Sequence, residues 1–293
     1  MMHTPSTPPP QHGAERFVDL QLHSNASDGA LTPAALVEAA SRASLVAIAL
    51  TDHDTVAGIP AAKAAAERTG VRLVAGIELS AVEQSREVHL LGLHLSRLDE
   101  IERDLVRLRE DRRSRAQHIV SRLNELGVPV TFDDVLREAQ DGSIGRPHIA
   151  RAMVRRGAVA DTRAAFDRFL GSGRAAFVPK RALGVRESIA LVHRGGGLAI
   201  WAHPGAEGTV ERITAMRDAG LDGVEVLHPG HTPADVTRIG AAVEALDLVP
   251  SGGSDWHGVP DPRRTLGGMR VPLAWLERQD VRARERAARS RVA

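Results

Sequence analysis

Short apolar runs alternate with helical segments in two blocks of this chain, and that rhythm restricts it to folds built from parallel βα units. In the first block Phe17 to Leu22 reads as a strand. Thr32 and Pro33 then open a helix as N-cap and first-turn residue. Leu45 to Leu50 has the make-up of a strand buried on both faces. Val56 to Arg68 is Ala-rich and helical, closed by Gly70, and Val71 to Ile77 and Val88 to Leu95 read as two further strands. After Leu98 the rhythm breaks. Ile101, Leu105, Leu108, Ile119, Leu123 and Leu126 recur at helical spacing as far as Gly127. Phe132–Ala139, Pro147–Arg156 and Thr162–Leu170 read as three shorter helices, with Asp161 as an N-cap and Gly157 and Gly171 as C-caps. The βα rhythm then returns. Helices over Val185–Arg194, Val210–Ala219 and Pro233–Leu246 alternate with strands over Gly197–Ala202, Gly223–Leu227 and Leu248–Ser251. About seven strands separated by helices predict a (β/α) barrel interrupted by an all-helical cap.

Five segments follow from this pattern. Residues 1–15, Pro-rich and polar without the apolar core of a signal peptide, are expected as a disordered leader. Residues 16–96 are the first barrel part, 97–177 the helical cap insertion and 178–274 the second barrel part. Residues 275–293 form a charged C-terminal tail, expected as a surface helix that frays. No Rossmann glycine fingerprint or P-loop is present. With 38 Lys+Arg against 37 Asp+Glu, net charge gives no general case for nucleic acid or membrane binding. No Tyr and only 3% aromatics argue against a stacking platform for single strands. The longest apolar run, Leu45 to Leu50, is far too short to span a bilayer, so a soluble protein with no membrane partner is expected. The absence of Cys excludes disulfides, thiol catalysis and Cys-ligated zinc, and fits a cytoplasmic location. Any metal must therefore sit on His, Asp and Glu, and 13 His are available.

Those residues fall where strands end. The first strand leads into His23-Ser24-Asn25-Ala26-Ser27-Asp28-Gly29 and the second into Thr51-Asp52-His53-Asp54. The third ends in Gly76-Ile77-Glu78, and the fourth begins with Glu87-Val88-His89. Later strands run into Ala202-His203-Pro204 and Gly253-Ser254-Asp255-Trp256-His257. The strand ends of a βα barrel converge on one mouth. A lone His at a strand end is ordinarily a polar cap, but six such segments together predict a metal site suited to Zn, Mn or Fe.

From Phe17 to Met269 these motifs resemble the PHP (polymerase and histidinol phosphatase) domain family. The cap stretch Gly145-Arg146-Pro147-His148-Ile149-Ala150-Arg151 is similar to one branch of it. That branch holds nucleoside 3′,5′-bisphosphate and 5′-monophosphate phosphatases and a related 5′-to-3′ exoribonuclease. The resemblance implies a distorted (β/α)7 PHP barrel with an inserted helical cap. It implies a metal-dependent phosphoesterase, a hydrolase of ester bonds, acting on small phosphorylated nucleotides or the 5′ ends of short RNA. Attack would come from a hydroxide held between two or three divalent ions, Mn, Zn or Fe. One ion is implied at His23, Glu78 and Asp255, and a second at the bridging Glu78 with His89 and His203. A third is implied at Asp28, His53 and His257. Gln21 stands where the family usually has the first His of His-x-His, and an amide is a weaker ligand than imidazole. Arg146 and His148 are implied as contacts to substrate phosphate, with Lys180 and Arg181 as further candidates. Asp52 and Asp54 flank His53 in the sequence and are expected to orient it. The branch often carries an Arg soon after its AHP motif, where this chain reads Gly205-Ala206-Glu207-Gly208. His94, His118 and His193 read as structural or solvated, His228 and His231 as strand-end candidates for a site role, and Arg107 to Arg115 as a solvated helix face. Three other readings compete. A histidinol-phosphate phosphatase is disfavoured by the helical insertion. A metal- or nucleotide-binding module without turnover is motivated by Gln21. An amidohydrolase barrel would need the intact His-x-His. The exact substrate, the metal, the oligomeric state and the role of the Arg-rich C-terminus stay open at this level.

Overall fold

The computed structural model describes residues 16–83, 86–140, 142–180 and 183–290, so the expected leader and Arg181 lie outside the described residues. Strand β1 (Phe17–Leu22) leads through the first motif to helix α1 (Pro33–Arg42). Thr32 caps α1 by accepting the Ala35 N–H at 3.2 Å. Strand β2 (Ala47–Leu50) is buried at every residue, and helix α2 (Ile59–Thr69) ends at Gly70 in the left-handed conformation. Strands β3 (Arg72–Ala75) and β4 (Ile77–Glu83) are one run of chain bent at Gly76. A Cβ there would lie 2.9 Å from the Leu50 carbonyl oxygen, so the bend requires glycine.

Strand β5 (Arg86–Leu93) pairs antiparallel with β4, from Ile77 opposite Gly92 to Glu83 opposite Arg86. This hairpin corrects the expectation of parallel units throughout. The run from Glu78 to Glu83 alternates polar and apolar residues, so no continuous apolar stretch marks it as a strand. Leu79 and Ala81 enter the core, while Glu78 and Ser80 belong to the polar interior of the mouth.

The cap begins with α3 (Leu98–Glu125), about 42 Å long at 1.5 Å per residue. Its first half packs Ile101, Leu105 and Leu108 into the barrel core. Its second half packs Ala116, Ile119 and Leu123 into a separate core with residues of α4 (Phe132–Ala139) and α5 (Arg146–Arg155). Asp134 closes a capping box on Thr131 and also receives two hydrogen bonds from Arg156 at 2.8 Å, tying α4 to the end of α5. Asp161 caps α6 (Thr162–Ala165), which passes into a π-type turn over Phe166–Leu170.

The second block contains β6 (Leu183–Gly184), α7 (Val185–Arg194), β7 (Leu198–Trp201), α8 (Val210–Asp218), β8 (Gly223–Leu227), α9 (Pro233–Ala245), β9 (Val249–Gly252) and β10 (Val271–Pro272). The strands form two sheets, ordered β10-β1-β2-β3 and β6-β4-β5-β7-β8-β9. Backbone hydrogen bonds stitch them at both seams. Glu78 N–H donates to Asp52 O and Asp54 N–H to Glu78 O at one; His23 N–H donates to Trp256 O and Asp255 N–H to Gln21 O at the other. The ring therefore closes through β1, β2, the bent β3–β4 run, β5, β7, β8 and β9, with β5 reversed. Both seams lie at functional strand ends, which is why one mouth gathers them.

The last helix, α10 (Leu273–Ser290), is more firmly held than the fraying tail expected. Leu276 and Gln279 are fully buried, and Arg278, Arg282 and Arg286 pair with Glu244, Asp247 and Asp222. Its charges alternate with apolar positions, so composition alone hid its packed face. No helix among the described residues is long and apolar enough to cross a membrane.

Because α3 serves two cores, Leu105→Ala and Leu123→Ala should each cost about 2–5 kcal/mol. They lie far apart on the helix, so the double variant should lose the sum to within about 0.5 kcal/mol in denaturant titrations. A strongly non-additive loss would mean that the two cores are one.

Candidate metal centre

Glu78 sits at the seam between β2 and β4, almost fully buried, and four imidazoles surround its carboxylate. His89 Nδ1 is 2.6 Å and His203 Nε2 3.2 Å from Oε1. His23 Nε2 is 3.1 Å and His53 Nδ1 3.9 Å from Oε2. His23 Nε2 also lies 3.1 Å from Asp255 Oδ1. Asp28 forms a second focus, with His257 Nε2 at 3.4 Å and His53 Nε2 and His23 Nδ1 at 3.9 Å. All eight residues singled out from the sequence are therefore brought to one mouth.

Among the described residues three sets offer ligand atoms within 4.8 Å of one another: His23, Glu78 and Asp255; Glu78, His89 and His203; and Asp28, His53, His257 and His23. These donor sets fit divalent ions of borderline softness. Both ring nitrogens of His23 and the Nδ1 atoms of His53 and His89 are buried without a directed hydrogen bond, although carboxylate oxygens are close. Imidazole nitrogens and carboxylate oxygens crowded together without hydrogen-bond geometry are what ligands around a common cation require. Asp54, His203 and Asp255 also hold left-handed backbones, with φ of 52°, 34° and 51°. Such conformations cost on the order of 1–3 kcal/mol each and cluster at functional sites.

The electrostatics follow from the crowding. Burial opposes ionisation of Glu78, Asp28 and Asp255, yet the imidazoles around them hold all three well below the usual carboxylate range. Burial also works against protonated His89, but adjacent Glu78 outweighs it and raises His89 to about 9. His23 rises for the same reason through Asp255 and Glu78. At His53 burial prevails and pushes the ring down to about 3.

The supporting residues differ in part from expectation. Asp52 accepts Ser24 N–H and Ser24 Oγ–H at 2.7 Å and Ser27 Oγ–H at 2.6 Å, so it fixes the turn between His23 and Asp28. Asp54 accepts Ser80 N–H at 3.1 Å and pairs with Arg112 Nε at 2.5 Å and Lys180 Nζ at 3.4 Å. Their hydrogen bonds thus hold the first loop and the cap, and none runs to the His53 ring. His148 is a second correction. It is buried, its Nδ1 accepts Gly145 N–H at 2.9 Å, and the ring also meets the Ser27 backbone. It joins the cap to the first loop and does not line the cleft.

Arg146 does line the cleft, a space of about 960 Å³ between mouth and cap that also exposes His89, His203, Lys180 and Arg86. Glu87 at 3.5 Å and the Phe166 and Phe177 rings at 5.8 and 5.6 Å set the position of its guanidinium. Arg86, on β5, supplies a cation beside Glu207, near the place where the sequence lacks one after His203. Two further residues, Arg112 and Arg264, depart from the sequence reading, and His228 takes up the site role its strand-end position suggests; Arg112 is buried and does not lie on a solvated helix face. Arg112 lies on the apolar stripe of α3 between Leu108 and Ala116, and that misplaced charge was its signal. Arg264 Nη1 reaches Asp255 Oδ2 at 2.9 Å, and His228 Nε2 approaches the same oxygen at 3.5 Å. Nothing in the spacing around Arg264 points to this contact.

Comparison with known proteins agrees with this arrangement. Residues 19–195 match the PHP domain family. The chain is 34% identical to the 5′-3′ exoribonuclease Rnm of Salmonella typhimurium over 257 residues, 85% of this chain and 87% of that one. It is 32% identical to the 3′,5′-nucleoside bisphosphate phosphatase of Chromobacterium violaceum, over 85% of this chain and 90% of the other. A solved structure from Bifidobacterium adolescentis, provisionally assigned as a metal-dependent phosphoesterase, superposes with a TM-score of 0.85 at 33% identity. It covers 94% of this chain and 98% of that one.

The histidine shifts carry a stability signature in metal-free protein. Folded His89 keeps its proton to about pH 9, whereas the unfolded ring releases it near 6.5. Its contribution is complete below pH 6.5 and is lost as pH rises through 9; the opposite effect of His53 acts only below 6.5. Chelator-treated protein should therefore unfold at lower denaturant at pH 9 than at pH 6.5. A midpoint that rises over that window would contradict this electrostatic account.

Proposed function

The chain belongs to the PHP domain family, and from that premise we propose that it is a metal-dependent phosphoesterase that hydrolyses phosphate esters of small nucleotides or of short RNA 5′ ends. One observation carries the reading: three carboxylate–imidazole sets, the inner one linked to the others through His23 and through Glu78, lie by a cleft whose walls carry Arg86, Arg146 and Lys180. Two or three divalent ions, Mn, Zn or Fe, would be held by His23, Glu78 and Asp255, by Glu78, His89 and His203, and by Asp28, His53 and His257. When bound, such ions supply Lewis acidity and a nucleophilic water at neutral pH.

The chain's own residues do the rest. Glu78 and Asp255 keep their charge despite burial and so fix the donor geometry. Arg146 offers a planar fork to phosphoryl oxygens, already oriented by Glu87 and two Phe rings. Lys180, anchored on Asp54 and Ser80, places a compact cation at the same wall. The cap limits water and orients the ester, while Phe177 offers apolar surface to a nucleoside. The absence of Cys fits work in the reducing cytoplasm.

Mn-loaded protein should release inorganic phosphate from adenosine 3′,5′-bisphosphate or mononucleotides from a 5′-phosphorylated oligoribonucleotide. No product from either, with metal bound, would refute the proposal. Arg146→Ala should raise KM by about 10- to 100-fold, the worth of a hydrogen bond to a charged group. Glu78→Gln should abolish turnover and lower metal content together; retained metal with full activity would remove Glu78 from its role.

A further inference from the structure

Gln21 lies on β1, fully buried, beside the ligand set of His23, Glu78 and Asp255. Its Nε2 donates to Glu78 Oε2 at 3.0 Å, and its Oε1 has no partner. We propose that Gln21 makes this inner position the exchangeable one, so that its ion is held loosely while ions at the other two positions are retained. The inference rests on the metal-dependent reading above.

Three features of the site carry it. An amide nitrogen has no lone pair to give a metal, and its N–H directs positive charge at the oxygen an inner ion would need. Turned over, Gln21 would present Oε1 to Glu78 Oε2, acceptor against acceptor, an arrangement that only a cation between them would stabilise. The second carboxylate of the inner set is also drawn on by a cation, since Asp255 Oδ2 receives Arg264 at 2.9 Å, with the His228 ring a further 3.5 Å neighbour that burial keeps neutral. The inner set therefore has the least uncommitted negative charge. Glu78 Oε1, by contrast, faces only His89 and His203, and Asp28 faces only imidazoles and Ser27.

Position 21 itself has little freedom. A Cβ on Gly253 would come within 2.5 Å of the Gln21 nitrogen, so the two strands are in close approach there. Side-chain chemistry, not backbone placement, is what can vary. Gln Nε2 and His Nε2 are both four bonds from Cα, so an imidazole at position 21 would bring a ligand atom to where the amide now donates.

The test is Mn2+ titration of metal-free protein by calorimetry, with metal content measured after desalting. Wild type should retain two ions per chain and bind a third at least tenfold more weakly. Gln21→His should retain three, and Gln21→Glu, which substitutes a charged oxygen, should also tighten the third. Circular dichroism checks that the variants fold; if neither does, the wild-type titration alone still decides. Three ions of equal affinity in wild type, or no tightening in a folded variant, would overturn the inference and leave the phosphoesterase reading standing. Failure of wild type and variants to bind any Mn2+ would overturn both.

Discussion

A carboxylate buried away from bulk solvent must be surrounded by positive charge or donors, and Glu78 is that carboxylate here. Its side chain meets His23, His53, His89, His203 and Gln21. Its backbone N–H and C=O close the seam between the two sheets. One residue thus serves both ring closure and ligand geometry. The strained backbones of His203 and Asp255 belong to the same requirement, because both follow strand ends and turn their side chains toward this one cluster.

The cap depends on a second buried charge. Arg112 interrupts the apolar stripe of α3 where the helix passes from the barrel core to the cap core. There it meets Asp54, the carbonyl of Ile144 and Ser80. Removing either partner of such a pair would leave an uncompensated charge, at a cost of about 3–5 kcal/mol. The arrangement fixes the register of the cap over the mouth, and with it the placement of Lys180 and Arg146 across the cleft.

Much of this was legible in the sequence because parallel strand ends converge. Phe17–Leu22 and Gly223–Leu227 carry strand patterns in the sequence, and parallel strands bring His23 and the later motifs to one mouth. Helix boundaries were equally plain where caps marked them, as at Thr32, Gly70 and Asp161. The β4–β5 hairpin was hidden because its polar residues face the site, so the strand lacked an apolar run. Spacing cannot tell a buried imidazole that accepts a backbone N–H from one that faces a substrate, so the sequence alone leaves His148 looking like a phosphate contact. His228 is legible as the residue after a strand end, whereas Arg264 reaches Asp255 through a loop whose path no local pattern encodes.

The central claim is that Glu78 is the shared carboxylate of a multi-ion centre. Anomalous diffraction from Mn-loaded crystals addresses it directly. The account requires ion density within coordination distance of Glu78 on its His89–His203 side, with a further ion among Asp28, His53 and His257. Density confined to other places, or a Glu78 carboxylate still paired to imidazoles with ions bound elsewhere, would contradict it.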